Sequence, residues 1–488
     1  MRRFLRGLSA VTLVNVLNGV LGVVIVPIAV RRLGIEGYGL YSIFPVLAGY
    51  LVLAELGLGK NLIRVLGGAG TESEVRDLLR LAFGLYAGIA AVLILLAPLL
   101  VLAVEGVLFP VNDVHVAAVR WITAIAVLDY LLGIPVSLRW NHALSRERMT
   151  DYARFMLISH SSRYALMLAG VLLTRRVEVA VAFVLGRRFV DLCAAPMLLP
   201  ALPEGSWRPR LERGKSLPLL RQSTLLALTQ LLQLSTVAAG SVLINGFFGL
   251  AALGIYRSAF DIVSKVWFFS STAGTVVFPR FIQMMRRKDA RERLGRVLPG
   301  VQGASWMMYT LAAVAGVLVS PLAPSVLRLA GTPPFLFALL LTGVLWNAHA
   351  VISSEVLQAG GRFREVGETA AISFVTMVAV FLLLSRREPT LAIGWAWLAS
   401  QFIASACVDA YALRPFGASS SVARVFGVRA PGAALALVAL GWIADVHVAL
   451  LSAAALVALF LSLRELPIIK GALLDLRSRA PLAEGIPT

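Results

Sequence analysis

The stretch RRLGIEGYGLYSI, Arg31–Ile43, lies between two long apolar runs, and its spacing returns as FFGLAALGIYRSA, Phe247–Ala259. Gly34, Gly39 and Tyr41 of the first copy correspond to Gly249, Gly254 and Tyr256 of the second at a single offset of 215 residues. A glycine-rich segment between two apolar runs reads as the end of one helix and the start of the next. Glycine supplies both the positive φ and the close backbone approach that a tight helical turn needs. What the flanking runs are therefore decides the fold.

The chain is 59% hydrophobic and 15% charged over 488 residues, with a mean hydropathy of +0.83. A soluble domain carries about 25% charged residues, so this is an integral membrane protein. About 20 apolar residues at 1.5 Å rise cross the hydrocarbon core, and residues 81–104 and 301–327 contain no charge at all. Spans are predicted near 9–30, 38–58, 81–104, 116–138, 154–174 and 177–199. A second set follows near 222–246, 254–281, 301–323, 335–358, 366–385 and 390–412, with a final pair near 429–446 and 448–466. The fold class is thus an all-α polytopic membrane protein of about 14 transmembrane helices. The first run, behind MRRFLRG, is about 22 residues long and lacks a small-residue cleavage site, so it reads as a retained helix and not as a leader. Tyr41 and Tyr256 fall where amphipathic interface anchors are expected.

A formal net charge of +19 raises the question of nucleic acid, and its distribution answers it. With a cytoplasmic N-terminus, about 32 of the 45 Lys and Arg fall in cytoplasmic segments and about 9 outside. The richest segments are RWNHALSRERMTDYAR, WRPRLERGKSLPLLR and RRKDARERLGR. The asymmetry sets the orientation, with both termini cytoplasmic. The basic loops need anionic lipid headgroups and no nucleic acid.

Chemistry-bearing motifs are sparse. Cys193 and Cys407 each lie inside a predicted span, and the five histidines show no ligand spacing, so neither a disulfide nor a metal site is expected. ERGKS resembles the end of a phosphate-binding loop, but Pro209 stands where the upstream glycine is required. Hydrophilic stretches reach only about 20 residues, which leaves no room for a catalytic domain outside the membrane. No enzyme activity, catalytic residue or cofactor is expected.

The repeat extends beyond the glycines. Ser9, Asn15 and Asn18 of the first span recur as Thr224, Gln230 and Gln233 of the seventh. Ala143, Arg146 and Arg148 of ALSRER match Ala359, Arg362 and Arg364 of AGGRFR at an offset of 216. Six spans separate the copies, an even number, so both share one orientation. This is a parallel duplication, an architecture that places a substrate path between two lobes. The predicted domains are an N-terminal six-helix lobe at 1–200, a cytoplasmic linker at 201–220, a C-terminal six-helix lobe at 221–413, and two last helices with a cytoplasmic tail at 414–488.

VVIVPIAVRRLGIEGYGLYSIFPVLAGYLVLAELGLGKNLIRVL is similar to the N-terminal signature of Wzx-type lipid-linked oligosaccharide flippases. These belong to the multidrug/oligosaccharidyl-lipid/polysaccharide (MOP) exporter superfamily. The pattern is a hydrophobic helix, G-x-x-x-Y-G-x-Y, then Glu55 with Gly57, Leu58 and Gly59, then Arg64. Glu55 replaces a more usual Asp, and Lys60 follows the glycines directly. The resemblance implies two pseudo-symmetric six-helix lobes around a central cavity. The implied cargo is an undecaprenyl-pyrophosphate-linked oligosaccharide, and the implied protein partner is polysaccharide polymerase machinery.

Such a cargo needs hydrogen-bonding groups for sugar and cations for pyrophosphate at membrane depth, since neither moiety crosses hydrocarbon unassisted. Span 7 carries a polar stripe of Gln222, Thr229, Gln230, Gln233, Thr236, Ser241 and Asn245, with Asn15 and Asn18 as its smaller counterpart in span 1. It reads either as cavity lining or as helix-to-helix hydrogen bonding. Arg163 lies in mid-span 5, too deep to snorkel, and serves either a substrate phosphate or a structural pair with Asp129. Asp261 and Lys265 stand at i, i+4 and pair or face the cavity. Arg187 and Arg188 read as local partners of Asp191. Lys60 and Arg64, at the cytoplasmic end of span 2, are placed to meet an incoming headgroup. Glu355 and Asp409 are candidate protonation sites.

Three alternatives to an oligosaccharide flippase stand beside it: a lipid II flippase, a drug or toxin extruder of the same superfamily, and a membrane polysaccharide polymerase. An extruder of cationic drugs calls for acids in the cavity, and a polymerase calls for a sizeable periplasmic loop.

Overall fold

A computed structural model describes residues 2–267 except 54, 56, 147, 211 and 212, residues 333–413 except 387 and 388, and residues 281, 284, 292–295, 297, 298, 300–302 and 470. Among the described residues there is no strand, and eight helices are long and apolar enough to cross a membrane. The chain divides into two compact units, Arg2–Ser258 and Ala259 to the C-terminus. The expected spans at 429–446 and 448–466, and most of those at 254–281 and 301–323, lie outside the described residues.

The first unit begins with α1, Arg2–Leu53, 52 residues long. Unbroken, it would run about 78 Å at 1.5 Å per residue, more than twice the roughly 30 Å hydrocarbon core. Gly34 breaks it at φ 77, ψ 168. Helix α7, Arg213–Val263, is broken in the same way by Gly249 at φ 78, ψ −176. The first glycine of each copy thus supplies the positive φ.

The second glycines do the other task. A Cβ on Gly39 would run into the Leu250 carbonyl oxygen and sit 3.1 Å from the Gly254 nitrogen, and a Cβ on Gly254 would run into the Ile35 carbonyl. Ile35 and Leu250 are themselves 215 residues apart. The two copies therefore pack backbone on backbone in a self-complementary contact, each presenting the same pair of positions to the other, as an isologous interface does.

Beyond the break the helix stops at Leu53, short of the expected 58. Gly57, left-handed at φ 69, precedes a separate eleven-residue helix α2, Leu58–Gly68. Lys60 and Arg64 consequently belong to α2 and not to the end of span 2, which corrects their expected placement; their side chains lie outside the described residues. Helix α3, Glu72–Ala103, starts nine residues before the expected span. The cause is an N-cap: Thr71 Oγ1 accepts from the Glu74 amide at 3.2 Å, and the Gly70 amide, just before the cap, donates to the Glu74 carboxylate at 3.0 Å. After a π turn at Val104–Leu108 come α4, Asp113–Ser145, α5, Met149–Thr174, and α6, Val177–Leu198.

In the second unit, α8 is Pro334–Ala359, α9 is Phe363–Leu384 and α10 is Pro389–Leu413. These lie within a few residues of the spans expected from hydropathy. Buried Trp397 packs edge-on against Phe260 at 5.1 Å between ring centroids. Gly343 leaves room for the same indole, since a Cβ there would meet Trp397 Nε1 at 2.6 Å.

Candidate functional site

The charges of the first unit converge inside its helix bundle. Asp129 on α4 is 5% exposed and Asp191 on α6 is 1% exposed. Arg188 grips Asp129 with a two-pronged fork, Nε to Oδ1 at 2.9 Å and Nη2 to Oδ2 at 2.7 Å, and reaches Asp191 Oδ2 at 3.5 Å. Arg187 lies 3.7 Å from Asp129 and 3.5 Å from Asp191. Two arginines thus face two aspartates in a neutral quartet, the arrangement that offsets the high cost of desolvating each ion. Gly133, one turn beyond Asp129 on α4, makes the slot: a Cβ there would stand 3.1 Å from the Arg188 guanidinium carbon.

Asp129, offered as a structural partner for Arg163, is held by Arg188 and Arg187. The local pairing of both arginines with Asp191 is present, and Asp129 adds the link across to α4. Arg163 on α5 is half-buried and near enough to Arg187 to repel it.

A second polar group adjoins the quartet. Glu55 lies in the turn between α1 and α2, past the first unit's opening membrane segment, which ends at Val52. The Tyr86 hydroxyl donates to it at 3.1 Å, and Tyr130 and Arg188 act on it from α4 and α6. Burial pushes the Glu55 carboxyl up to about 7, against the Tyr86 hydrogen bond and the Arg188 charge, which pull it down. The folded carboxyl therefore binds its proton more tightly than the unfolded one, whose ordinary value is 4.5. Its contribution to stability is full below about 4.5, falls as pH rises through 7, and is flat above. Thermal melting in detergent is expected to show a lower midpoint at pH 8 than at pH 5, and Glu55→Gln is expected to shrink that difference. An identical pH profile for the variant would remove Glu55 as the cause.

The polar stripe of span 7 divides. On α7, Thr229, Thr236, Ser241 and Asn245 are buried, with Thr236 Oγ1 donating to the Leu232 carbonyl at 3.0 Å and Asn245 Nδ2 to the Pro110 carbonyl at 3.1 Å. The first is a bond within α7 and the second ties α7 to the loop before α4. Gln230 is half-buried and Gln233 exposed, while the Gln222 side chain lies outside the described residues. On α1, Asn15 is half-buried and Asn18 fully buried. Asp261 and Lys265, in the second unit, are both half-buried.

The second unit has its own buried cluster, which the sequence reading caught only at Asp409. His349 Nε2 on α8 lies 3.0 Å from Asp409 Oδ2 on α10. Ser353 donates to Asp409 Oδ1, and Gln302 Nε2 reaches Ser353 at 2.9 Å and Asp409 at 3.3 Å. All four residues are at most 1% exposed. The missed signal was His349 and Ser353 at i, i+4, one face of one helix. Glu355, the other expected protonation site, is half-buried. Among the described residues no group of three or more His, Cys, Asp or Glu is placed to hold a metal ion.

The helical fold with its two long helices broken at matching glycines is one that solved membrane transporters share. A multidrug-resistance MATE family transporter of the MOP superfamily, in an inward-facing conformation, superposes with a TM-score of 0.61 at 14% identity, over 85% of this chain and 99% of that one. The lipid II flippase MurJ, in an inward closed conformation, gives 0.59 at 9% identity over 94% and 99%. The Vibrio cholerae MATE transporter VcmN, as a point mutant, gives 0.55 at 15% identity over 87% and 99%. Among curated proteins none matches the sequence significantly. The chain belongs to the polysaccharide biosynthesis protein family, whose model matches residues 4–285, more than half of its length.

Proposed function

We propose that the protein flips an undecaprenyl-pyrophosphate-linked oligosaccharide across the bacterial inner membrane by alternating access, with both termini cytoplasmic. The product feeds a surface polysaccharide such as O-antigen, capsule or exopolysaccharide. The observation that carries this reading is the family match across α1–α7, on a fold of the transporter superfamily. The pyrophosphate of such a cargo demands a cation where hydrocarbon would otherwise stand. Outward movement of an anion from a negative interior is downhill by about 2.3 kcal/mol per charge per 100 mV, so the membrane potential alone can drive it. The same potential favours a cargo that is negative over one that is positive.

Arg163 is the side chain assigned to the pyrophosphate. An arginine at mid-membrane costs about 2.5 to 3.5 kcal/mol on insertion scales, so a span that keeps one gains something in return. Arg163→Ala is expected to leave membrane abundance and melting unchanged while surface polysaccharide falls and lipid-linked oligosaccharide accumulates. Arg163→Lys is expected to keep part of the export, since charge survives the loss of the guanidinium fork. Full export from a stable Arg163→Ala protein would overturn the assignment. Accumulation of lipid II in place of the lipid-linked oligosaccharide would assign the transport to cell-wall precursor.

A further inference from the structure

Arg31 and Arg32 open the first glycine copy, yet the turn does not need them. The corresponding positions of the second copy are Gly246 and Phe247, and the break forms there with the same φ, 78 at Gly249 against 77 at Gly34. A second, separate observation concerns the end of α5. Arg175 caps that helix in the left-handed region at φ 54, ψ 9, and among the described residues it is the one non-glycine with positive φ. That capping position ordinarily takes glycine because a Cβ is strained there. Strain kept at an arginine points to a use for the guanidinium.

The two observations meet in space. Arg31, Arg32 and Arg175 line a cavity of about 530 Å³ whose remaining walls are Ile28 and Leu172. Its described lining contains no acid. Glu36 and Glu178, the acids nearest in sequence, are not among its walls, and Glu178 faces Arg176 at 4.0 Å. Among the described residues none of the three arginines forms an ion pair. Three like charges converging on one cavity repel each other until an anion joins them, and guanidinium forks match the oxygens of a phosphate. The apolar side of the cavity continues onto the outside of α5, where Leu172 and Leu173 are 44% and 71% exposed on a membrane-crossing helix. Cations at the ends of α5 and of the first half of α1, with an apolar wall below them, stand at the level of a lipid headgroup.

We propose that this cavity binds the phosphate of an anionic membrane lipid, with the chain of that lipid along Ile28 and Leu172. The site lies apart from the buried quartet and does not depend on the transport reading. Guanidinium groups at headgroup level hold phosphate oxygens by charge-assisted hydrogen bonds on either face of a bilayer.

The test uses the full chain in nanodiscs of phosphatidylcholine with a minor fraction of phosphatidylglycerol, and counts retained lipid by native mass spectrometry. The wild type is expected to retain phosphatidylglycerol over phosphatidylcholine. The triple variant Arg31→Gln, Arg32→Gln, Arg175→Gln is expected to lose that retention by about tenfold or more, with Arg208→Gln, an exposed arginine elsewhere, as the unchanged control. Arg175→Gly separates binding from folding: it relieves the left-handed cap, so the protein should melt no lower than wild type while lipid retention falls. Inorganic diphosphate is the second probe. If it competes only at millimolar concentration, phosphate is the group recognised and the chain adds the affinity. If it binds as tightly as the lipid, the source is a free anion and the lipid assignment is overturned. Wild-type retention of phosphatidylglycerol by the triple variant overturns the site itself.

Discussion

Asp129→Ala is expected to destabilise the protein by about 3 to 5 kcal/mol, the cost of stranding a buried charge. Arg188 loses both prongs of its fork and keeps only its 3.5 Å approach to Asp191. Membrane abundance and the melting temperature in detergent should fall together, and export should fall with them. Arg188→Ala should behave likewise, since Asp129 would retain only the 3.7 Å approach of Arg187. The decisive variant is the double one, Asp129→Leu with Arg188→Met. Replacing a buried ion pair by apolar side chains of similar volume is often neutral, so abundance should recover, leaving Arg187 and Asp191 as a balanced pair. Wild-type melting of Asp129→Ala alone would show that the quartet contributes nothing to the fold. This pattern differs from that expected of Arg163→Ala, where export falls and abundance holds.

The second large effect is steric. Gly254→Leu places a side chain where even a Cβ would collide with the Ile35 carbonyl, and a backbone atom of a packed helix cannot rotate aside. Overpacking costs about 1 to 3 kcal/mol where side chains can adjust, so this variant should exceed that range and lower both abundance and melting temperature. Gly39→Ala and Gly254→Ala should each cost less. Combined, they should cost less than their sum, because both separate the same two helices. Gly246→Ala, only eight residues away, meets nothing within 4 Å and should be neutral or slightly stabilising. Equal melting of Gly254→Leu and wild type would refute the contact.

The sequence made the membrane class and, among the described residues, most helix limits readable because bilayer thickness imposes a length on every apolar run. Hydropathy set the limits of α8, α9 and α10 to within a few residues. It missed the start of α3, because the Thr71 cap extends a helix into water where hydropathy is silent, and the end of span 2, because the chain turns at Gly57 where apolarity alone would continue the helix. The glycines were readable as needed residues. Their division into one that bends and one that admits a neighbour was not, since a single chain does not reveal which of two roles each glycine plays. In the charge network, Asp129 was singled out while its fork to Arg188 was not. Partners 59 residues apart in sequence meet only through tertiary packing, and the one local clue was Gly133 a turn beyond the acid. Asp409 was noticed while His349 was not, because an isolated histidine in an apolar helix carries no mark of its partner.

The contact between the two glycine copies has a further consequence. It is built from main chain, and the Ile35 and Leu250 carbonyls that face the opposing glycines lie inside helices, where such groups are bonded to their own helix. Drawing the surfaces apart would uncover no unsatisfied donor or acceptor and would require no side chain to change rotamer. Because both faces sit on one polypeptide, they also meet at the high effective concentration of tethered partners, so the joint can close without being strong. It has the properties of a latch that is cheap to open and certain to find its catch.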